Sequence, residues 1–424
     1  MNEPIKKLEQ RENSELEPGF KMTELGPLPE DWSLIKLGDI ADIKYGKAKP
    51  KTRGSIPVIG SGGVYDHTNI SLVDFPTIII GRKGKAGFAW LAEEPSWPSD
   101  TTFYLAWRRQ LDIQYIFHYL TLKPLSGEYA KTTLPSIQKP DLENYMIPFP
   151  PLDEQPKIAY TLNSIQRGIG ETGKVIDAAR ELKKSLMRHL FTYGPVPYDQ
   201  VDNVPLKETE IGPVPERWDV VGLNKAAIKM YGGGTPSTKD ASLWDGTIPW
   251  TTTAVIGIDD IFLRDYQRKI TEKGLNSSST KIAPVGSVLI GTRVGVGKAA
   301  VATFDVAVNQ DITVLVPTEN VLSEYIAYIL KMPAQKQWFE DRKRGATIKG
   351  VPRGDIAELM IPLPPLPEQR EIARILQAVD RKIEAEENRK QALEALFKTL
   401  LHYLMTGKIR VKDLIGSQGI NSRL

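Results

Sequence analysis

Two stretches of this chain, residues 150–192 and 364–407, carry the same interrupted apolar repeat, and this limits the fold more than any other feature. In the second stretch the apolar positions fall at Ile372, Leu376, Val379 and Ile383, and again at Leu393, Phe397, Leu400 and Leu404. That alternating four-and-three step defines the narrow seam of a coiled coil. The first stretch aligns with the second without a gap at an offset of 214, so that Ile158, Leu162, Ile165 and Ile169 fall over the first group. Leu186 and Leu190 then fall over Leu400 and Leu404. Pro367 suits a first helical turn, Glu368 and Glu371 face the positive end of the helix dipole, and Gly407 marks the stop. Each helix spans roughly 60 Å at about 1.5 Å per residue, too far to bury its seam against one compact domain. The simplest partner is the other copy, packed antiparallel. Thr172, Lys183, Glu386 and Lys390 interrupt the seam; they either set its register or mark positions where the pair splays into solvent.

The duplication reaches beyond the helices. Residues 23–32, TELGPLPEDW, recur as residues 209–218, TEIGPVPERW, at an offset of 186. Nothing in this box is reactive; Gly and Pro shape an entry turn and Trp32 and Trp218 are expected to anchor cores. After each box comes a segment of mixed character. Residues 77–81 and 103–107 read as buried strands and residues 113–122 as an amphipathic helix, with residues 288–291, 312–316 and 321–332 playing the same parts in the second copy. The offset drifts to 192 at Ile56 and Ile248 and to 210 at Gly81 and Gly291, so insertions accumulate inside the globular segments. The expected fold class is α+β: two globular α/β domains joined by two long antiparallel helices that form an intramolecular coiled coil, a pseudo-two-fold tandem repeat. The expected boundaries are an N-terminal arm at 1–20, a first domain at 21–151, the first long helix and a Pro-rich connector at 152–206, a second domain at 207–365, and the second helix and tail at 366–424.

A chain of 424 residues is too long for a single core. With no cysteine there are no disulfides or thiolate metal sites, and with a charged N-terminal segment and no long apolar run the expectation is a cytoplasmic protein free of the membrane. Net charge is only +3, so any nucleic-acid surface must concentrate its cations locally. Residues 44–53, KYGKAKPKTR, do so with Lys44, Lys47, Lys49, Lys51 and Arg53 and no acid, although a solvated loop would look the same.

Glycine-rich turns follow equivalent strands in both copies: GRKGKAG at 81–87, with Arg82, Lys83 and Lys85, and GTRVGVG at 291–297, followed by Lys298 and carrying Arg293. Glycine allows close backbone approach, lysine neutralises phosphate, and arginine binds guanine through two hydrogen bonds. A second pair of loops precedes the helices, with Lys131, Thr133 and Gln138 in one copy and Arg344 and Lys349 in the other. Asp141 and Asp355 there are read as braces of turns. Thr235, Ser237, Lys239 and Thr252 lie on the second copy's much less basic counterpart of the 44–53 loop. If both loops touch DNA, the two copies read different sequences.

Catalytic arrangements are not found in this sequence. GTRVGVGKA has five residues where a phosphate-binding loop needs four, and Ala299 stands where Mg²⁺ would need a hydroxyl. The four histidines are scattered, and His189 and His402, on the long helices, are expected to face solvent. No zinc spacing or nucleophile elbow is present. The residues point to a binder with no metal, cofactor or small-molecule substrate of its own.

The two Gly-Pro-x-Pro-x-x-Trp boxes, together with the Ile-Pro-x-Pro-Pro-Leu-x-Glu-Gln helix starts at 147–155 and 361–369, resemble the specificity subunit of type I restriction–modification systems over nearly the whole chain. The resemblance implies a non-catalytic subunit with two target-recognition domains, each reading one half of a bipartite, asymmetric site in double-stranded DNA, the helix pair fixing the gap. It also implies as partners two methylation subunits that bind S-adenosylmethionine, and restriction subunits that use ATP and Mg²⁺. A coiled-coil scaffold, a DNA-binding protein outside restriction, and a nucleotide-binding enzyme remain the alternatives from the residues alone.

Overall fold

The computed structural model describes residues 16–125, 136–345 and 349–416. The expected arm lies outside the described residues as far as residue 15, and Phe20 already opens a strand. The chain combines mixed α and β structure with two long helices, Gln155–Tyr193 and Leu366–Met405, of 39 and 40 residues. The chain separates into two compact units, one drawn from Met1–Gly173 and Asn388–Leu424, the other from Lys174–Glu387. Each unit thus holds one globular segment, the first half of the helix that follows it and the second half of the other helix.

In the first unit a four-stranded antiparallel sheet has the order Ala41–Tyr45, Thr102–Trp107, Thr77–Gly81, Ala89–Ala92. The run TIIIG forms the fully buried inner strand. A smaller sheet joins the hairpin Ile56–Gly60 and Gly63–Thr68 to Trp97–Pro98, the last in parallel. The helix Ile113–Leu122 starts at Asp112, which accepts from the Tyr115 N–H.

The second unit repeats the central order, with Ala227–Gly232, Ile312–Pro317, Val288–Gly291 and Ala299–Ala302 as neighbours and Phe262–Leu263 added in parallel at the edge. Its other sheet sets Trp244–Thr251 between Arg268–Ile270 and Val306–Val308. The helix expected over 321–332 is shorter, Ser323–Ile329, and a new one runs over Pro333–Asp341. Pro333 excludes Met332 from the helical region and opens the next helix instead.

The two signature motifs meet in space. Trp32 donates to Glu154 at 3.1 Å and Trp218 to Glu368 at 3.0 Å, joining each box to the start of the helix that closes its repeat. The adjacent glutamines are fully buried: Gln155 donates to Pro150 O at 3.0 Å and accepts from Asp112 N, and Gln369 donates to Pro364 O at 2.8 Å and accepts from Leu322 N. Burial pushes the Glu368 carboxyl up, but the hydrogen bonds from Arg217 and Trp218 outweigh it and hold it below the usual carboxylate range.

Within each unit the helix segments run in opposite directions. The first core gathers Ile158 and Leu162 with Leu401, Leu404 and Met405; the second gathers Met187 and Leu190 with Ile372 and Leu376. The remaining seam residues, Ile165, Ile169, Leu186, Val379, Ile383, Leu393, Phe397 and Leu400, are half-buried. Three of the four polar interruptions, Thr172, Lys183 and Glu386, are covered, whereas the Lys390 side chain is 40% exposed. Thr172 is 3% exposed and returns its hydroxyl to Gly168 O, while Lys183 meets Asp380 at 2.5 Å. His189 is a correction: it is buried, 2.6 Å from Val196 O, with its ring against Tyr198. The connector after the helix folds back over it and covers the imidazole that its helical position alone leaves in solvent.

Candidate nucleic-acid interface

The glycine-rich turns close identically in the two units. Gly81 N donates to Phe88 O and Gly87 N to Gly81 O, at 2.9 and 2.8 Å; Gly291 N donates to Lys298 O and Gly297 N to Gly291 O, at 2.8 and 2.9 Å. A Cβ at Gly81 or Gly291 would stand 2.2 Å from the carbonyl of Lys85 or Gly295, so only glycine closes this turn.

Other loops are tied to the turn by repeated backbone bonds. Arg82 N donates to Thr101 O and Ile137 N to Arg82 O; Thr292 N donates to Asp311 O and Val351 N to Thr292 O. Lys47 bridges to Ser99 in the first unit, and Gly234 N donates to Val308 O in the second. Loops that are far apart in sequence therefore converge on one surface in each unit, on a common backbone frame.

The side chains on that frame differ. In the first unit Lys47, Lys51, Arg53, Lys83 and Lys85 are exposed, and no side chain among the described residues pairs with them. Lys44 lies 3.6 Å from Asp42, and Lys49 is bonded to Asp66, whose carboxyl it holds below the usual range. Arg82 lies over the Tyr45 ring and donates to Asp100 O at 2.7 Å. Gln138 N donates to Asp141, which braces its turn as expected, while Lys131 and Thr133 lie outside the described residues.

In the second unit Thr235 donates to Gln310 at 2.6 Å and Thr252 to Gln267 at 2.5 Å. Ser237 is exposed, its carbonyl accepting from Trp244. Lys298 is half-buried and donates to Thr253 O at 3.1 Å, a bond that holds the turn. Arg344 is paired with Asp355 at 2.5 Å, and Arg293 reaches Asp311 only at 3.6 Å with 44% of its side chain exposed. Lys239 and Lys349 are exposed and free of side-chain partners among the described residues. No group of His, Asp and Glu among the described residues is arranged to hold a metal ion, and no described helix is long and apolar enough to cross a membrane.

One element of this surface escaped the sequence reading. The hairpin Ile56–Gly60 and Gly63–Thr68 turns at Ser61 and Gly62, and Ser61 lies 3.3 Å from the Cβ positions of both Gly81 and Gly84. The run Gly-Ser-Gly-Gly at 60–63 was its only signal.

The family model described as type I restriction modification DNA specificity domain matches residues 29–177 and 215–395, one match for each repeat. The chain belongs to this family. The MjaVIII specificity subunit of Methanocaldococcus jannaschii is 26% identical over 94% of this chain and 97% of its own length. The EcoR124I/EcoR124II specificity subunit of Escherichia coli is 31% identical over 36% of this chain and 38% of its own. A crystal structure of the S subunit from M. genitalium shares the fold with a TM-score of 0.61 at 16% identity, covering 91% of this chain and 98% of that one. As a specificity subunit the protein is the DNA-recognition component of a type I restriction–modification complex, not its catalyst. Membership implies DNA and the methylation and restriction subunits as partners.

Proposed function

We propose that each globular unit reads one half of a bipartite, asymmetric duplex target and that the two long helices, paired antiparallel along their length as one intramolecular coiled coil, fix the gap between the halves. The observation that carries this reading is the repeated loop frame with unlike side chains: among the described candidate residues, Lys47, Lys51, Arg53, Lys83 and Lys85 stand unpaired on one unit, and Lys239 and Lys349 on the other. A common frame presents loops to a duplex in a common way, and unlike side chains on it select different bases. The lysines supply a phosphate term that weakens with salt. Two methylation subunits, binding S-adenosylmethionine and modifying adenine, dock on the paired repeats in the cytoplasm, and restriction subunits using ATP and Mg²⁺ join them.

The test is to co-express the chain with its methylation subunit and map methylated adenines in the host DNA. A two-part asymmetric motif with a constant gap is the expected result; scattered methylation, or one continuous motif, overturns the reading. Within that motif, Arg293→Ala is expected to lower cognate binding by about 1–3 kcal/mol relative to scrambled duplex. Equal loss on both duplexes would leave Arg293 a phosphate contact only.

A further inference from the structure

The hairpin of the first unit contains a local fault in its pairing. Val58 faces Asp66 and Ile59 faces Val64, so Tyr65 has no partner on the opposite strand and forms a β-bulge. A bulge re-aims a side chain that regular alternation would turn to the other face. Here it leaves two consecutive residues outward, Val64 at 56% and Tyr65 at 58% exposure, while Val58 and Ile59 opposite are buried. The ribbon beneath is held firmly: Ile59 shares a core with Ile79 and Ala92, and Val58 pairs with Trp97 in parallel.

We infer that Val64 and Tyr65 are the base-reading pair of the first unit, gripped against the duplex by Lys47, Lys83 and Lys85; the inference rests on the DNA-reading role proposed above. A two-stranded ribbon fits the major groove, where an apolar side chain meets the thymine methyl and a phenol can donate to or accept from a base edge. The Tyr65 ring lies 3.1 Å from the Cβ position of Gly60, so glycine leaves the space that the ring occupies beside the turn. No described residue takes its hydroxyl in a hydrogen bond. The turn of this ribbon adjoins Gly84, between Lys83 and Lys85, which places phosphate-binding cations beside it. Asp66, the one acid next to Tyr65, is neutralised by Lys49 and does not repel the backbone. Among the described residues the second unit shows no counterpart, because residues 252–267 replace the two-residue turn there.

The experiment uses the complex with its methylation subunit. Wild-type, Tyr65→Phe, Tyr65→Ala and Val64→Ala chains are each co-expressed with it, the methylated motif is mapped, and the subunits are co-purified. Tyr65→Ala and Val64→Ala are expected to relax one or two positions in one half of the motif, preference there falling roughly tenfold or more, with the other half and the gap unchanged. Lys83→Ala or Lys85→Ala is expected to weaken binding to all duplexes alike and to lower the salt slope by about one. An unchanged motif in both Val64→Ala and Tyr65→Ala overturns the inference, as does relaxation of both halves. Loss of the methylation subunit from the purified complex also overturns it, since the pair would then be a protein contact. Retention of the second half-site reports that a variant chain is folded; if Tyr65→Ala does not fold, Tyr65→Phe and Val64→Ala carry the same readout. A wild-type complex without a two-part motif sinks the preceding reading instead.

Discussion

Gln369 has 0% exposure and satisfies three backbone groups, donating to Asn320 O and Pro364 O and accepting from Leu322 N. Gln369→Leu keeps the volume and strands those groups, each costing about 1–3 kcal/mol, so a loss of about 3 kcal/mol is expected in chemical denaturation. A loss below about 0.5 kcal/mol would mean that water replaces the amide. Lys331 is the opposite case, a cation 9% exposed and held by Ile258 O at 2.6 Å. Burial, then the nearby Lys183, lower its pKa to about 8. Between about pH 8 and the usual lysine value of about 10.4 the folded state therefore binds fewer protons than the unfolded one, and stability rises with pH. Relative to Lys331→Met, the wild-type chain should gain on the order of 3 kcal/mol across that window. A flat difference between the two chains would show that Lys331 is solvated.

The two closing nodes of the boxes are built differently. In the second unit Arg217, beside the box tryptophan, forks onto Glu368 at 2.8 and 2.8 Å. In the first, Asp31 holds that place, and the cation is Arg410, beyond the end of the second long helix, which bonds Glu154 at 2.7 and 2.6 Å and Asp31 at 3.0 and 2.8 Å. Arg410 holds the Asp31 carboxyl below its usual range by direct hydrogen bonding. The Glu154 side chain is 10% exposed, so Arg410→Ala leaves a buried carboxylate without its cation and should cost about 3 kcal/mol. Arg217→Ala, on a side chain 42% exposed, should cost about 1 kcal/mol. Equal melting losses would deny the C-terminal segment this role. The elements themselves were legible where pattern is local: the four-and-three step marked the helices, and TIIIG its strand. The Glu154–Arg410 pair spans 256 residues and left no local trace. Nor did Ile176, Leu401 or Met405, buried beside the expected seam because the real contact face is wider than a two-per-heptad stripe. The bulge at Tyr65 was illegible for a related reason, since it exists only in the register between two strands.

At the scale of the whole chain, the drift in offset acquires a location. It grows from 192 at Ile248 to 210 at Gly291, and most of that gain falls in residues 252–267, the excursion that replaces the hairpin turn of the first unit. The helices, by contrast, align without insertion, as expected if their length is itself part of what the protein specifies. On the proposed reading, loop residues set which bases are read, and the gap between half-sites answers to the helices. Removing one heptad from the middle of both long helices keeps the apolar seam in phase and shortens each by about 10 Å, close to three base pairs of duplex. The methylated motif is then expected to keep both half-sites and lose about three positions from its gap. Removing four residues from each helix shifts the seam out of phase instead, and should abolish methylation rather than retune it. An unchanged gap in the heptad-deleted chain, with methylation retained, would mean that the spacing is set by the partner subunits and not by this chain.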